Sequence, residues 1–537
     1  MANEYFVLGI GGTGMRCIEA LVHLCAMGMF DDTELHLLAL DTDKNNGNFG
    51  RLKAVKDAYL NVKSLDTAGR KAGNNSFFTA DIKYYEFSPD YETKSTFKQV
   101  FKYGDTQYRN HTDSDLADLM FSKDVEEFNL RHGYRAQTHL GSIMMYHSII
   151  EAAKDRRNND LKRFLNNLNT ASANGNPRVF ILGSVFGGTG ASSIPIIPQA
   201  LAQAAGILAN GASNILENAY FGSTLLTAYF SFTAPPADER KRQKVIATAD
   251  KFALNSQVAM MFYQDDTNVQ TTYQKFYMMG TQGLSWNPME RTSQTQEETI
   301  TGGDKQKNDS HYIELLAACA ALDFYSLPNN VLAANRANGK TDYQYRMMGD
   351  KMEFRDFVGD ERQTEFAHKF GMLTVASILC NDPDYNYVEG LQNGNVRITG
   401  FEEVDAQQIK SLKEYFDLYN FKVTGTNNLE EGWLRQIYRS AGGQDKFLFS
   451  TEIFSPQNVR EMTRCDWNKK LYRNEGVGKD NKFATAIMSN KYNELKSCFL
   501  NIYKDGENAA SNQFDNRMEQ LLKQLYDTLT SLYQFKK

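Results

Sequence analysis

The sequence predicts an α/β fold with a Rossmann-like parallel sheet, followed by a mostly helical C-terminal region. Two apolar runs, residues 4–8 and 178–182, are each followed by a glycine-rich loop and then by a stretch with helical spacing. This order of strand, loop and helix is typical of parallel α/β sheets. Beyond residue 365 helical spacing dominates, and only residues 446–450 (KFLFS) resemble a strand. We therefore expect an α/β domain over residues 1–360 and a mostly α-helical domain over residues 361–537.

The first elements follow from short local patterns. Residues 4–8 (EYFVL) form an apolar run that ends in glycines, which predicts a buried strand. Apolar residues at positions 18, 21, 22 and 25 recur at helical spacing, so a helix is predicted over residues 13–27. Residues 34–40 (ELHLLAL) predict the second strand.

The later elements are predicted in the same way. Residues from about 45 to 130 are polar, aromatic and irregular in pattern, and we interpret them as an insertion. An alanine-rich stretch at about 308–325 predicts a central helix. Apolar runs or helical spacing predict the remaining elements: strands at 223–233 and 276–280, and helices at 140–168, 238–261, 365–379, 403–419, 483–502 and 508–533.

Length and composition exclude several classes of protein. At 537 residues the chain is long enough for two to four domains of roughly 100–200 residues each. The 59 basic and 65 acidic residues are mixed along the chain, so there is no nucleic-acid signal. The six cysteines form no C-x-x-C pair, which makes reduced thiols in a cytoplasmic protein the simplest interpretation. No metal-binding cluster of side chains is predicted.

One long uncharged stretch raises the question of a membrane span. Residues 179–216 contain no charged residue, and a span needs about 20 predominantly apolar residues. Six glycines and two prolines interrupt this stretch. We therefore predict a buried strand, a loop and a helix here, and no transmembrane segment.

The first glycine-rich loop, residues 9–14 (GIGGTG), matches G-x-G-x-x-G between a strand and a helix. Glycines let the backbone turn tightly and approach a phosphate, and the helix start offers free N–H donors and a positive dipole end. Asp41 ends the next strand, where its carboxylate can accept a hydrogen bond from a ribose hydroxyl. This loop alone indicates a dinucleotide site, and the alternative is a tight turn without a ligand.

The second glycine-rich loop, residues 183–192 (GSVFGGTGAS), also follows a strand and precedes a helix. Its opening resembles a P-loop, but Thr189 stands where that motif needs a lysine. Successive N–H groups, hydroxyls and a helix dipole can still hold a polyphosphate. Two such loops on one sheet suggest one nucleotide held from both sides, and the alternative is close packing of helix on strand.

Several segments, in this order along the chain, resemble motifs of the tubulin/FtsZ superfamily. Residues 187–190 (GGTG) are similar to the core of its signature loop G-G-G-T-G-[ST]-G, with Phe186 at the first glycine and Ala191-Ser192 at the end. Residues 11–14 resemble its first phosphate loop and residues 133–141 its third loop. The other matches are 39–43 (ALDTD) to A-x-N-T-D, 233–239 (TAPPADE) to T-x-P-x-x-x-E, and 308–324 to the central helix.

The resemblance implies a divergent bacterial tubulin-like protein that binds GTP or GDP with Mg²⁺. It covers residues 1–360 apart from the insertion. The implied nucleotide-binding residues are Gly11, Gly12, Thr13, Gly14, Asp41, Thr42, Asp43, Gly187, Gly188, Thr189, Gly190, Ala191, Ser192, Glu239 and Asn308.

The family's catalytic acids lie on a loop after the central helix, in the pattern N-x-D-F-x-D-[VL]. Residues 351–357 (KMEFRDF) resemble it, which implies Glu353 and Asp356 as the two acids. In the family these acids complete the active site of the neighbouring subunit, so the resemblance implies a GTPase that self-assembles. An ordinary solvated turn is the alternative interpretation.

Three functions remain open on the sequence. The first is a GTPase that assembles into filaments or oligomers and hydrolyses GTP at subunit contacts. The second is a catalytically silent tubulin-like scaffold, and the third is an NAD(P)-dependent Rossmann oxidoreductase that uses only the first loop. Self-association is expected for the first, and the C-terminal region is a possible site for an accessory protein.

Overall fold

The computed structural model describes twelve parts of the chain. They are residues 3–31, 33–64, 75–101, 111–134, 136–230, 249–281, 303, 306–347, 354–381, 406–423, 429–440 and 517–532.

A seven-stranded sheet forms the centre of the fold, and all its neighbouring strands are parallel. The strand order is β3-β2-β1-β4-β5-β6-β7. A separate antiparallel pair, β8 and β9, lies in the C-terminal part. The strands are β1 Asn3–Ile10, β2 Thr33–Leu40, β3 Asp81–Phe87, β4 Arg178–Leu182, β5 Tyr220–Leu226, β6 Tyr273–Gly280, β7 Asp342–Met347, β8 Phe421–Val423 and β9 Leu429–Glu431. The α/β class and the parallel sheet are therefore confirmed.

Helices connect the strands and cover both faces of the sheet. The helices are α1 Gly11–Ala26, α2 Gly47–Ser64, α3 Phe97–Phe101, α4 His111–Met120, α5 Lys123–Glu127, α6 Thr138–Lys154, α7 Asp160–Asn174, α8 Gly188–Ser193, α9 Ile197–Leu208, α10 Ile215–Asn218, α11 Phe252–Asp265, α12 Thr267–Thr272, α13 Tyr312–Ser326, α14 Asn329–Ala337, α15 Phe354–Val358, α16 Gln363–Asn381, α17 Ala406–Tyr419, α18 Trp433–Ser440 and α19 Arg517–Leu532. Short 3₁₀ turns occur at Leu130–His132 and Ala249–Lys251.

Two hydrophobic clusters lie on opposite faces of the sheet. Successive residues of β1 alternate between them, with Val7 in one and Phe6 and Leu8 in the other. This pattern is expected of a parallel sheet that is buried on both faces. The first cluster includes α1, α2 and α13, and it continues into the C-terminal helices α16, α17 and α19. The second includes α6, α7 and α9.

The uncharged stretch at 179–216 folds as the sequence predicts. It contains most of β4, the second glycine-rich loop, and the helices α8 and α9. Within the described parts of the chain, no helix is long and apolar enough to cross a membrane.

The interpretation of residues 45–130 as irregular is wrong, because α2, β3, α3, α4 and α5 all lie in this stretch. Residues 47–64 form α2, and residues 81–87 form β3, the strand at one edge of the sheet. The buried apolar residues of α2 recur at helical spacing among polar ones, at positions 49, 52, 55, 59 and 62. β3 looks polar because an edge strand exposes alternate side chains. Whether this stretch is an insertion relative to the family stays a prediction.

Two other predictions need correction. The helix expected at 140–168 is two helices, α6 and α7, because Asn159 caps a new helix by accepting a hydrogen bond from Lys162 N at 2.9 Å. The last strand of the sheet, β7, is not predicted at all. The strand expected at 446–450 and the helix expected at 483–502 lie outside the described residues.

Candidate nucleotide site

The carboxyl ends of β1, β2 and β4 meet near the centre of the sheet. Gly9 of β1 pairs with Ala39 of β2 on one side and with Leu182 of β4 on the other. α1, which follows β1, packs on one face of the sheet, whereas α9, which follows β4, packs on the other. Loops that leave a parallel sheet toward opposite faces open a crevice, and ligands of such sheets bind there. A pocket with about 980 Å³ of space not filled by atoms, partly open to solvent, lies in this crevice.

The pocket brings together most of the residues that the sequence predicts as nucleotide ligands. They come from both glycine-rich loops, from the end of β2 and from the segment before α13. Those that line the pocket are Gly11, Gly12, Thr13, Asp41, Thr42, Asp43, Gly187, Gly188, Thr189, Gly190 and Asn308.

Gly14, Ala191 and Ser192 are also predicted ligands, but they do not line this pocket. A Cβ at Gly14 would lie 2.7 Å from the carbonyl oxygen of Leu182, so this glycine lets α1 approach the sheet closely. Ala191 and Ser192 are buried. A direct contact with a ligand in the pocket is therefore not supported for these three residues, which shape the loops instead.

The remaining predicted residues lie away from the pocket or outside the described residues. Glu239 and Glu353 lie outside the described residues. Asp356 lies in α15, is half-buried and does not line the pocket. Because the acids are expected to act on a neighbouring subunit, their distance from this pocket does not test that role.

The first glycine-rich loop presents a helix start to the pocket. α1 begins at Gly11, and no side chain caps its first N–H groups. Gly11 has φ +68°, a conformation that residues with a Cβ rarely adopt. First-turn N–H groups without a cap, together with the helix dipole, make such a helix start suited to an anion.

The second loop meets the first across the pocket. A Cβ on Gly11 would lie 3.4 Å from Thr189 Cβ. A Cβ on Gly133 would lie 3.8 Å from Thr189 Oγ1 and 3.5 Å from Thr42 Oγ1. Four segments that are far apart in the sequence therefore converge, and they present bare backbone and hydroxyl groups to one another.

Asp41 carries a buried carboxyl group at the edge of the region where these four segments meet. It is 3% exposed. Burial, together with the neighbouring Asp43 carboxylate, raises the pKa of Asp41 to about 7, although hydrogen bonds such as that from Asp43 N, at 3.4 Å, oppose the shift. Asp43 itself accepts from Asn45 N at 3.0 Å and from Gly303 N at 2.6 Å. The pocket therefore contains one acid that titrates near neutral pH.

The raised pKa of Asp41 predicts how Asp41→Asn affects stability. The folded protein holds a proton on Asp41 up to about pH 7, whereas the unfolded chain loses it near pH 4, so wild-type stability falls as the pH rises between these values. Asp41→Asn removes this titration, so its melting temperature should rise relative to that of wild type between pH 5 and pH 8. Between pH 5 and pH 8 the free energy of unfolding of the variant should gain roughly 2–3 kcal/mol relative to wild type.

Thermal melting of the nucleotide-free protein, followed by circular dichroism at pH 5 and pH 8, measures this effect. The control is Asp360→Asn, since Asp360 is exposed, and its melting temperature should follow wild type at both pH values. If the melting temperatures of Asp41→Asn and wild type differ by the same amount at pH 5 and at pH 8, the raised pKa of Asp41 is contradicted.

Four side-chain amides on one side of the pocket form a network, of which the sequence predicts only Asn308. Asn48 and Asn308 bond reciprocally: Asn48 Nδ2 donates to Asn308 Oδ1 at 3.0 Å, and Asn308 N donates to Asn48 Oδ1 at 2.9 Å. Asn46 Nδ2 donates to Gln306 Oε1 at 2.9 Å and to Asp41 Oδ2 at 3.3 Å. These bonds fix the orientation of the amides.

Arg16 is a further pocket residue that the sequence does not single out. It is the only Lys or Arg among the described residues that line the pocket, and it is 2% exposed. Its Nε lies 2.5 Å from Glu314 Oε1, and its Nη2 donates to Tyr229 Oη at 2.8 Å. Burial alone would lower the pKa of Arg16, but these two partners outweigh it and raise the pKa, so the side chain stays charged.

The comparison with known proteins finds no relative of this chain. No protein-family model matches the chain, and no curated protein matches its sequence. The resemblance to the tubulin/FtsZ superfamily therefore stays a prediction. Within the described residues there is also no group of three or more His, Cys, Asp or Glu side chains suited to a metal ion.

Proposed function

We propose that the protein is a tubulin-like GTP-binding protein, a GTPase that self-assembles and hydrolyses GTP at the contacts between subunits. One observation carries the proposal: both glycine-rich loops and the end of β2 line the same pocket. A polyphosphate in this pocket would meet the start of α1 from one face of the sheet and the Gly187–Gly190 segment from the other.

The same observation weighs against an oxidoreductase that uses only the first loop. A dinucleotide fingerprint needs one glycine-rich loop and an acid at the end of the second strand. In this chain the second loop stands directly opposite the first, with Thr189 Cβ 3.4 Å from the position of a Gly11 Cβ. A single-loop site gives no reason for this arrangement.

We expect Mg²⁺ to bind together with the nucleotide. It is usually bound through phosphate oxygens and one or two carboxylates, with water completing the coordination. Asp41 and Asp43 are the acids that line the described part of the pocket, and they fit such a role. The metal would spread the charge of the phosphates, while the protein orients the attacking water.

The first test is a comparison of nucleotides. Calorimetry of the full chain with GTP, GDP, ATP and NAD in the presence of Mg²⁺ should show binding of GTP and GDP and weaker or no binding of NAD. Thr189→Ala should weaken GTP binding by roughly 10- to 100-fold, because one hydrogen bond to a charged phosphate is lost. Ser193→Ala is the matched control: its hydroxyl is buried in the same helix without a hydrogen-bond partner in the described structure. Tight binding of NAD alone would overturn the proposal.

Phosphate release and light scattering separate the GTPase from a silent scaffold. A GTPase should release phosphate and scatter light when GTP is added, whereas a scaffold should bind GTP and release none. The C-terminal region is the proposed site of any accessory protein, and a cytoplasmic location belongs to the same proposal.

A further inference from the structure

We propose that the exposed face of α11 binds a second copy of this chain, with the two α11 helices antiparallel about a two-fold axis at Val258. The inference goes beyond the proposed function, because this contact involves neither the nucleotide nor the acids Glu353 and Asp356. A two-fold contact is closed, since the same face is occupied on both copies, whereas head-to-tail contacts can continue into a filament.

The outer face of α11 is apolar although it is exposed. Leu254, Val258, Met261 and Phe262 are between 52% and 59% exposed. Their spacing places them on one side of the helix, opposite the residues that α11 buries. Single exposed apolar side chains are common, but a group of them on one helix face is typical of an interaction site.

A charge of opposite sign lies at each end of this face. Lys251 precedes α11 with helical backbone angles, and Asp265 is the last residue of the helix. Both are exposed, and neither has an ion-pair partner among the described residues. Residues 252–264 carry no charge. The adjacent acids Asp250 and Asp266 lie at the sides of this face, because successive helical residues are rotated by about 100°.

The spacing along the face is symmetric about Val258. Positions 251, 254, 258, 262 and 265 are separated by steps of 3, 4, 4 and 3 residues, which keep them on one side of the helix. In an antiparallel pair centred on Val258, Leu254 therefore meets Phe262 of the second copy. Lys251 meets Asp265 of the second copy in the same way. A two-fold contact requires a self-complementary face, and this face is complementary to itself in both its apolar and its charged positions.

The strand β7 adds apolar area on the same side of the sheet. Tyr343 packs against the second hydrophobic cluster, to which α11 contributes Tyr263. Because side chains alternate along a strand, Tyr345 and Met347 lie on the same face as Tyr343, where they are 76% and 63% exposed. This side of the molecule therefore offers more apolar area than α11 alone, as an interface of standard size requires.

Sedimentation velocity of the full chain without nucleotide, over a range of protein concentrations, tests the contact. Wild type should form dimers, and Val258→Asp should weaken dimerisation by about 100-fold or more, because it brings two carboxylates together on the axis. Val258 is exposed, so the variant should keep the wild-type melting temperature. Leu119→Asp is the matched control, since Leu119 is 83% exposed on α4, and it should dimerise as wild type does.

Two outcomes of this experiment would overturn the inference. One is a wild-type protein that stays monomeric at every concentration, and the other is equal dimerisation of Val258→Asp and wild type. Because no nucleotide is present, neither outcome depends on the proposed function.

Charge exchange then tests the antiparallel arrangement. Lys251→Glu places a carboxylate opposite Asp265, and Asp265→Lys places an ammonium group opposite Lys251. Each of these variants should dimerise roughly 5- to 30-fold more weakly than wild type, since two attractive pairs become repulsive. The double variant carries the same charges in exchanged positions, so it should regain the wild-type affinity. Equal weakening in the double and the single variants, or no weakening in any of them, would overturn the antiparallel arrangement about Val258.

Discussion

Gly11→Val is expected to weaken GTP binding by about 100-fold or more. Gly11 has φ +68°, where a β-branched residue costs roughly 1–3 kcal/mol, and the loop can relieve this strain only by moving. Its Cβ would lie 3.4 Å from Thr189 Cβ, so the valine methyl groups would enter the space between the two glycine-rich loops. Either response removes hydrogen bonds from the loops to a charged phosphate, each worth roughly 1.5–3 kcal/mol.

The same substitution at Gly50 provides the control. Gly50 is exposed on α2, and no atom lies within 4 Å of the position of its Cβ. Gly50→Val should therefore bind GTP as wild type does, and calorimetry of the three proteins measures the difference. If Gly11→Val and Gly50→Val bind GTP equally well, the pocket between the loops is not where the phosphates lie.

Local patterns were sufficient to predict the centre of the sheet. β1, α1 and β2 follow from an apolar run, a glycine-rich loop and helical spacing, each of which acts over a few residues. The central helix expected at 308–325 is α13, and its start is fixed by a capping box in which His311 and Glu314 participate. Asn308, four residues before α13, therefore remains free of the helix and lines the pocket.

Edge elements were missed because their burial is partial. A strand covered on one face only, such as β7, needs few apolar residues, and Tyr345 and Met347 in it remain exposed. Such a strand has no apolar run that distinguishes it from a loop. α2 did carry a detectable signal, the helical spacing of its apolar residues, but its polar composition obscured it.

The pocket residues that sequence reasoning missed depend on distant partners. Arg16 faces the pocket because Glu314, 298 positions away, holds its guanidinium. Asn48 is oriented by Asn308, 260 positions away. No local pattern encodes such pairs, so Arg16 looked like any polar residue of a helix. The glycines were recognisable because the backbone conformation that they permit is a local property.

The two acids at the end of the α/β region lead to the prediction that bears most directly on function. Asp356 does not line the pocket of its own chain, and Glu353 lies outside the described residues. If they are the catalytic acids, they act on the nucleotide of a neighbouring subunit, as the resemblance implies. Alanine at either position should leave GTP affinity nearly unchanged and slow hydrolysis by about 100- to 10,000-fold, the range typical of a positioned acid or base.

Phosphate release measured over a range of protein concentrations tests this mechanism. Wild-type hydrolysis should rise more than linearly with concentration, because each site needs a neighbour, and the two variants should form longer-lived assemblies in light scattering because they retain the triphosphate. Asp360→Ala is the control, since Asp360 is an exposed acid just beyond α15. This variant should hydrolyse GTP as fast as wild type does. Hydrolysis that is strictly proportional to protein concentration, or unaffected by both substitutions, would show that Glu353 and Asp356 do not act across a subunit contact.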